Sequence, residues 1–439
     1  MPRQLALLIC ILLILYLFWM DWKKNEGVSH AIWIPFTWML LAGSRYVSQW
    51  LDLGAPVISA DAYLDGSPVD RAVFSILILG GIIVLVRRRL NWSELFKKNV
   101  WIWLFFVFGA ISILWSDYPF VSFKRWFKAL GNVIMVLIIL TEERPYMALG
   151  VILRRFAFLL LPLSVLFIKY YPDLGRAYHV SGKAMYTGVA GQKNGLGNIC
   201  LLSGIYFSWN LLLNRLGEVK SGRPLHLSVY LLILPMLIWL FYMANSATPL
   251  ACMIVAVLLF IVARQPSVAR EPRKIMTICL GCIVLFGILE LPFDVKDTVI
   301  TMLGRRPDLT TRVPMWEGLL EMVENPIIGF GYESFWLGAR KMIAAERFAE
   351  TIQAHNGYLQ LYLDLGIIGL FLLLGWFLSG LNKVSHHLSN DYPAAILKLC
   401  FIVVVALYNW TEATFYGVSN MWMLLLLGVM YTPQQHKTT

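Results

Sequence analysis

Charge is scarce in this chain. Asp, Glu, Lys and Arg make up 14% of its 439 residues, against about 25% in a soluble domain, which excludes an ordinary water-soluble enzyme. The shortage is not that of a disordered chain, because 59% of the residues are hydrophobic and disorder needs low hydrophobicity. Cysteine carries little information. Cys10, Cys200, Cys252, Cys279, Cys282 and Cys400 all fall in apolar runs, so no disulfide framework is suggested. Cys279-x-x-Cys282 has metal or redox spacing without a supporting His or carboxylate, and reads as two small hydrophobes in a packed helix. The alternating strands of an outer-membrane barrel are missing, as is the soluble basic domain of a nucleic-acid binder. No internal repeat or pair of broken helices with midplane charges points to a transporter.

What fills the chain is long apolar runs, at a mean hydropathy of +0.67. A crossing helix needs about 20 mostly apolar residues. Candidate spans lie near 5–20, 31–51, 72–87, 100–115, 126–141, 150–169, 194–213, 227–243, 248–264, 274–292, 358–380, 393–411 and 418–432. The first resembles a signal peptide, but Trp19 to Lys24 offers no small-residue cleavage site, so it is read as a span. The expected fold is all-α: a polytopic membrane protein with about 12–13 transmembrane helices and one large helical loop on its outer side. The expected organisation is N-terminal transmembrane helices over 1–292, a loop domain over 293–357, and C-terminal transmembrane helices with a short tail over 358–439.

Orientation follows from Lys and Arg in short loops. The clusters Arg87, Arg88, Arg89, Lys97 and Lys98; Arg215, Lys220 and Arg223; and Arg264, Arg270, Arg273 and Lys274 can all lie in the cytoplasm together, with Lys23, Lys24, Lys383 and Lys437. The loops 116–125, 170–193 and 293–357 and the segment around Glu412 then lie outside.

The loop 293–357 is too polar to span and too long for a simple connector. A helix is predicted near Pro314, with Thr311 as N-cap, Glu317 in its first turn and Met315, Leu319, Leu320 and Met322 on one face. Asn325-Pro326 stops it, and Gly329-Phe330-Gly331 marks a turn. A second helix is predicted over about 335–350, with Trp336, Met342 and Phe348 among its apolar residues.

The net charge of +11 needs a second explanation, because many cations fall on the outer side, where topology does not call for them. Arg305, Arg306 and Arg312 lie in the long loop, Arg176, Lys183, Lys193 and Asn194 before a span, and Lys124, Arg125 and Lys128 beside Ser116 and Asp117. An arginine ahead of a helix N-terminus gains nothing from the dipole unless an anion bridges the two. Paired or snorkelling cations are the competing explanation. His355, where the loop re-enters the membrane, is a candidate general base or a structural hydrogen bonder. Glu412 and Asp364 are membrane-level carboxylates, each a functional candidate or a helix-to-helix bond. The aromatics Trp316, Tyr332 and Trp336 suit sugar stacking or the core of the loop domain.

From Thr311 to Leu370 the chain resembles the O-antigen ligase and polymerase family of bacterial membrane glycosyltransferases. The matching residues are Arg312 and Trp316, Asn325-Pro326, Gly329-Phe330-Gly331, Ala354-His355-Asn356 and Leu365-Gly366-Ile367-Ile368-Gly369. Gly191-Gln192-Lys193-Asn194 and Ser246-Ala247-Thr248 are similar to earlier family segments, while Trp115-Ser116, Pro119, Arg125 and Glu412 resemble the exopolysaccharide-polymerase branch.

The resemblance implies a metal-independent and cofactor-free transferase in a bacterial cytoplasmic membrane, working on the periplasmic side. Its donor would be a polyprenyl-pyrophosphate-linked oligosaccharide, its acceptor a growing glycan or other molecule, and its partners membrane lipids, a flippase and a chain-length regulator. His355, Arg312 and Glu412 would be catalytic. Lys193, Arg125, Arg305, Arg306, Arg176 and Asn194 would hold pyrophosphate, and Trp316, Tyr332 and Asn356 would hold sugar. Polymerisation of an exopolysaccharide is the expected activity, with ligase-type transfer of a finished glycan as the alternative.

Overall fold

In lipid, a chain satisfies its backbone polar groups as helices or closed barrels, and the computed structural model of this protein is helical almost throughout. It describes residues 1–22, 27–51, 67–88, 90–178, 182, 184–214, 225–293, 312–348 and 353–431. Lys23, Lys24, Arg89, Lys183, Arg215, Lys220, Arg223, Arg305, Arg306, Thr311 and Lys437 lie outside the described residues.

The helices are α1 Arg3–Trp22, α2 Trp33–Gly43, α3 Pro68–Arg87, α4 Trp92–Lys98, α5 Val100–Ile111, α6 Pro119–Leu140, α7 Pro145–Tyr170, α8 Lys193–Trp209, α9 Leu227–Ala244 and α10 Ala247–Arg264. After them come α11 Lys274–Phe293, α12 Arg312–Glu321, α13 Gly338–Arg347, α14 Gly357–His387, α15 Tyr392–Tyr408 and α16 Asn420–Val429. Each expected span holds a helix, but the helix is shorter than the span at 31–51, 100–115, 393–411 and 418–432. Against the 12–13 expected, seven helices among the described residues are long and apolar enough to cross a membrane, or eight if α4 and α5, bent by 88°, form one span. The helices α2, α15 and α16 are apolar but shorter, and α6 carries Lys124, Arg125 and Lys128 in its first half. One feature departs from the all-helical expectation: a two-stranded antiparallel sheet, β1 Arg176–Tyr178 with β2 Ala184–Tyr186.

Helices α7, α8, α15 and α16 form the buried centre, with α8 packed on α7, α9 and α10, and α15 on α10, α14 and α16. Around them α1 and α3 expose Leu8, Leu12, Leu15, Ile76, Leu79 and Ile83, an apolar girdle that suits lipid rather than water.

The loop domain has its own small core of Met315, Leu319, Phe330, Phe335, Trp336, Ala344 and Ala354, closed by Leu363 of α14. Its details correct the sequence reading. Arg312 lies on the first turn of α12 rather than ahead of it. Leu320 and Met342 are exposed. The second helix starts at Gly338, which leaves Trp336 ahead of it in the core.

The loop is fastened to the membrane helices by a backbone exchange. Helix α14 is broken at Gly366, with φ 62° and ψ −162°. The break strands the carbonyls of Leu363 and Asp364, which accept from Phe330 N at 3.0 Å and Gly331 N at 2.8 Å. In return, Ile367 N and Ile368 N donate to Pro326 O at 2.9 Å and Ile327 O at 3.2 Å. Two helical bonds are replaced by four bonds to the loop, which satisfies groups that would be costly to bury unpaired. The contact leaves no room for side chains: a Cβ on Gly366 would lie 2.3 Å from the Ile327 carbonyl, and one on Gly329 2.6 Å from the Asp364 backbone. Gly366→Ala is therefore expected to lower the unfolding temperature of the detergent-purified protein, since the left-handed backbone alone costs about 1–3 kcal/mol. An unchanged melting curve would argue against the clasp.

Candidate functional site

Glu412 follows the C-terminal turn of α15 and is 8% exposed. A carboxylate that deep needs polar partners, and it has one hydrogen-bond donor and two basic side chains at ion-pair distance. Asn194, in the first turn of α8, donates Nδ2 to Oε1 at 2.8 Å. The Ser246 hydroxyl, at the N-cap of α10, donates to Asn194 Oδ1 at 3.0 Å, which fixes the amide the right way round. Arg312, opening α12, places Nη2 3.6 Å from Glu412 Oε1 and donates Nη1 to Thr411 O at 2.5 Å. The Thr411 hydroxyl meets that of Thr248 at 2.5 Å.

His355 arrives from the third side, Nδ1 lying 3.7 Å from Glu412 Oε2. Its backbone is left-handed, φ 48°, a conformation a β-carbon disfavours and which is held only when surroundings over-determine it. Here they do. Trp316 Nε1 donates to Ala354 O at 2.8 Å and the Ala354 N–H reaches Gln360 Oε1 at 3.3 Å. On the other side, Asn356 Oδ1 accepts from Tyr358 N and Leu359 N at 3.0 and 3.1 Å, capping α14. Gln353 Nε2 also stands 3.3 Å from His355 Nδ1, and Gln353 Oε1 accepts from Tyr416 OH at 3.0 Å. Nδ1 is thus the anchored nitrogen, and Nε2 has no hydrogen bond among the described residues. The side chains of Arg312 and His355 are 22% and 30% exposed against 10% for Glu412. The cluster is open to a ligand from the Arg312–His355 side and closed behind Glu412.

A second charged cluster lies next to it. Glu333, also left-handed at φ 48°, accepts from Gly417 N at Oε1 at 2.8 Å, while its carbonyl accepts from Arg125 Nη1 at 2.7 Å. The carboxylate keeps a little exposed surface but is enclosed by protein. That enclosure pushes its pKa up, against the pull of Arg125, the Gly417 amide and Lys128. A carboxyl raised in the folded state stabilises below its unfolded pKa and loses that contribution as pH rises through the folded one. Glu333→Gln, which keeps an acceptor for Gly417, is expected to gain thermal stability on the native sequence as pH rises; a variant that loses ground with rising pH would contradict this.

The other sequence candidates fall elsewhere. Lys193 is the first residue of α8, beside Asn194. Arg176 donates Nε and Nη2 to Ile168 O at 3.1 and 2.8 Å, covering the last turn of α7, as a cation does well at a helix C-terminus. Asp117 pairs with Arg340. Lys128 sits over the Phe74 ring at 4.6 Å, and Lys124 over the Phe120 ring at 5.0 Å. Asp364 is buried, accepting from Phe335 N and Gln360 Nε2 at 3.0 and 2.9 Å. Tyr332 is 3% exposed with its ring against Gly109, so it is enclosed rather than presented to a sugar. Trp316 stays partly exposed but leans on the loop core, and Asn356 uses its oxygen as a cap. Gln353 and Tyr416 went unnoticed in the sequence. Their only signal is the adjacency of Gln353 to His355, and nothing local ties Tyr416 to either. Among the described residues no group of three His, Cys, Asp or Glu is placed to hold a metal ion.

Comparison with known proteins gives a match over one part of the chain. Residues 231–374 match the family model described as O-Antigen ligase. The match runs from α9 into α14, taking in Arg312, His355 and the backbone clasp, while Asn194 and Glu412 lie outside it. Among relatives, an exopolysaccharide production protein of Rhizobium meliloti is 26% identical over 296 residues, 63% of this chain and 63% of that protein. A putative polysaccharide ligase of Rickettsia conorii is 25% identical over 229 residues, 49% of this chain and 54% of that protein. Another, of Rickettsia prowazekii, is 27% identical over 173 residues, 36% and 42% of the two chains. The chain spans less than two thirds of the length of each.

Proposed function

We propose that this membrane protein, which carries an O-antigen ligase domain over residues 231–374, transfers a glycan from a polyprenyl-pyrophosphate-linked donor to an acceptor hydroxyl. The observation that carries the proposal is the convergence of Arg312, His355 and Asn194 on one carboxylate, Glu412, at an accessible point between the loop domain and the helices.

In this reading the acceptor oxygen attacks the anomeric carbon and the bond from that carbon to pyrophosphate breaks. The leaving group is a polyanion, so cations serve it better than an acid. Arg312 meets the developing charge with a planar fork of donors, and Lys193, next to Asn194, adds a second cation. In the tautomer that carries its proton on Nδ1, turned to Glu412 in place of the Gln353 amide, His355 takes the hydroxyl proton at Nε2. Glu412, facing Nδ1, steadies the resulting imidazolium, so it acts as a positioning residue. Arg125, held by Glu333, supports the neighbouring surface. The basic clusters after α3 and α10 favour the cytoplasm, which supports a site on the periplasmic face, where a flippase would deliver the donor.

The family description and the Rickettsia relatives favour ligase-type transfer of a finished glycan over the polymerisation expected from sequence. Polymerisation is the second reading, favoured by the exopolysaccharide production protein, which aligns over more residues than the two Rickettsia relatives. The lipid-linked glycans of a deletion strain separate the two. Long lipid-linked chains are expected to accumulate for a ligase and single repeats for a polymerase, whereas an unaltered lipid-linked pool would overturn both.

A further inference from the structure

A groove of about 220 Å³ lies between α3, α4, α5 and α6, on the basic side of the molecule, and its lining is wholly apolar. Val86, Trp92, Trp103, Leu130, Ile134 and Leu137 are among its walls. Helix α4 lies across α5 at 88° and roofs the groove with aromatic rings. Trp92 and Phe96 have centroids 6.4 Å apart, and Phe96 and Trp103 4.6 Å.

Two features say what belongs there. Val86 is 66% exposed, so the groove opens sideways, toward hydrocarbon rather than water. Arg87 follows Val86, and Lys97 lies in the last turn of the same short helix that supplies Trp92; both are exposed and neither has a carboxylate partner among the described residues. Glu94 accepts from Tyr431 OH at 2.8 Å, and Glu142 pairs with Arg88. An apolar slot and two nearby cations without a carboxylate partner among the described residues match a chain and a phosphate in that order.

We propose that this groove holds one acyl chain of an anionic glycerophospholipid, its phosphate set against Arg87 and Lys97. By the charge bias of membrane loops this is the cytoplasmic leaflet, opposite the Glu412 cluster, so the site is distinct from any donor-binding surface. The lipid fixes α4 against α6.

The test uses the full chain in proteoliposomes with phosphatidylglycerol carrying a photoreactive diazirine in one acyl chain. Labelled residues are read by mass spectrometry, beside phosphatidylcholine and polyprenyl phosphate bearing the same group. Labelling of Trp103, Leu130 and Ile134 is expected to favour phosphatidylglycerol, by about fivefold for each cation engaged. Val86→Trp, at an exposed position, is expected to remove that labelling while Ile76 and Leu79 on the same helix stay labelled. Arg87→Gln with Lys97→Gln is expected to abolish the headgroup preference and leave the chain in place. Equal labelling by phosphatidylcholine in the native sequence, preferential labelling by polyprenyl phosphate, or protection of the groove by a second copy of the chain would each overturn the proposal.

Discussion

Alanine at position 355 is expected to reduce glycan transfer by roughly 10²–10⁴-fold, the range for loss of a general base, with the protein still present in the membrane. The side chain is 30% exposed and among the described residues its hydrogen bond is to Gln353, so its removal leaves no buried cavity. The backbone is the complication. At φ 48° an alanine is strained by about 1–2 kcal/mol, and a loss of activity could come from a shifted turn. Asparagine accepts the left-handed region more readily than most residues, so His355→Asn keeps the turn and removes the imidazole. Both variants are expected to be equally inactive when product is quantified per folded protein. An active asparagine variant would make His355 a turn residue and nothing more.

Arg312 is expected to show the second large effect. Arg312→Ala removes the guanidinium that faces Glu412 and whichever anion approaches it, and should lower the turnover rate by about 10²–10³-fold, as loss of a charge-stabilising donor does. Arg312→Lys restores the charge without the planar fork and should recover a minor part of the rate. The bond to Thr411 O gives Arg312 a structural duty as well. Single-turnover rates at saturating donor separate the two: a catalytic arginine changes the rate of the chemical step, while a structural one changes the amount of folded protein. Full rates from folded Arg312→Ala would remove it from the reaction.

The helices were legible because hydrocarbon leaves a spanning chain few choices, and apolar runs of sufficient length mark them directly. Their regularity was less so. The 88° bend before Val100 falls at Lys97-Lys98-Asn99, the edge of an expected span, whereas the break at Gly366 sits inside apolar sequence and depends on a partner loop some forty residues earlier. Asn325-Pro326 and Gly329-Phe330-Gly331 read correctly as a stop and a turn, yet no local pattern says that their backbone completes α14.

The site was legible as a set of anomalies: an arginine, a histidine and a carboxylate placed where lipid-facing helices do not want them. The convergence of Arg312, His355 and Asn194 on Glu412 brings together residues far apart in the chain, and only the fold could supply it. The outer cations also have protein partners. Arg176 serves the end of α7 and Lys128 lies over aromatic rings, because a cation near a membrane finds carbonyls and π faces as readily as a ligand. Tyr332 is buried, and in sequence an aromatic near a turn looks alike whether it faces solvent or core.

Reconstitution with a polyprenyl-pyrophosphate-linked glycan and an acceptor tests the central claim most directly. Free polyprenyl pyrophosphate and glycosylated acceptor are measured together, in the presence of a chelator, for the native chain and His355→Asn. The native chain is predicted to release the two products in equal amounts and the variant neither. Product from the variant at the native rate, or no release of polyprenyl pyrophosphate by the native chain, would contradict the assignment of this chemistry to the Arg312, His355 and Glu412 cluster.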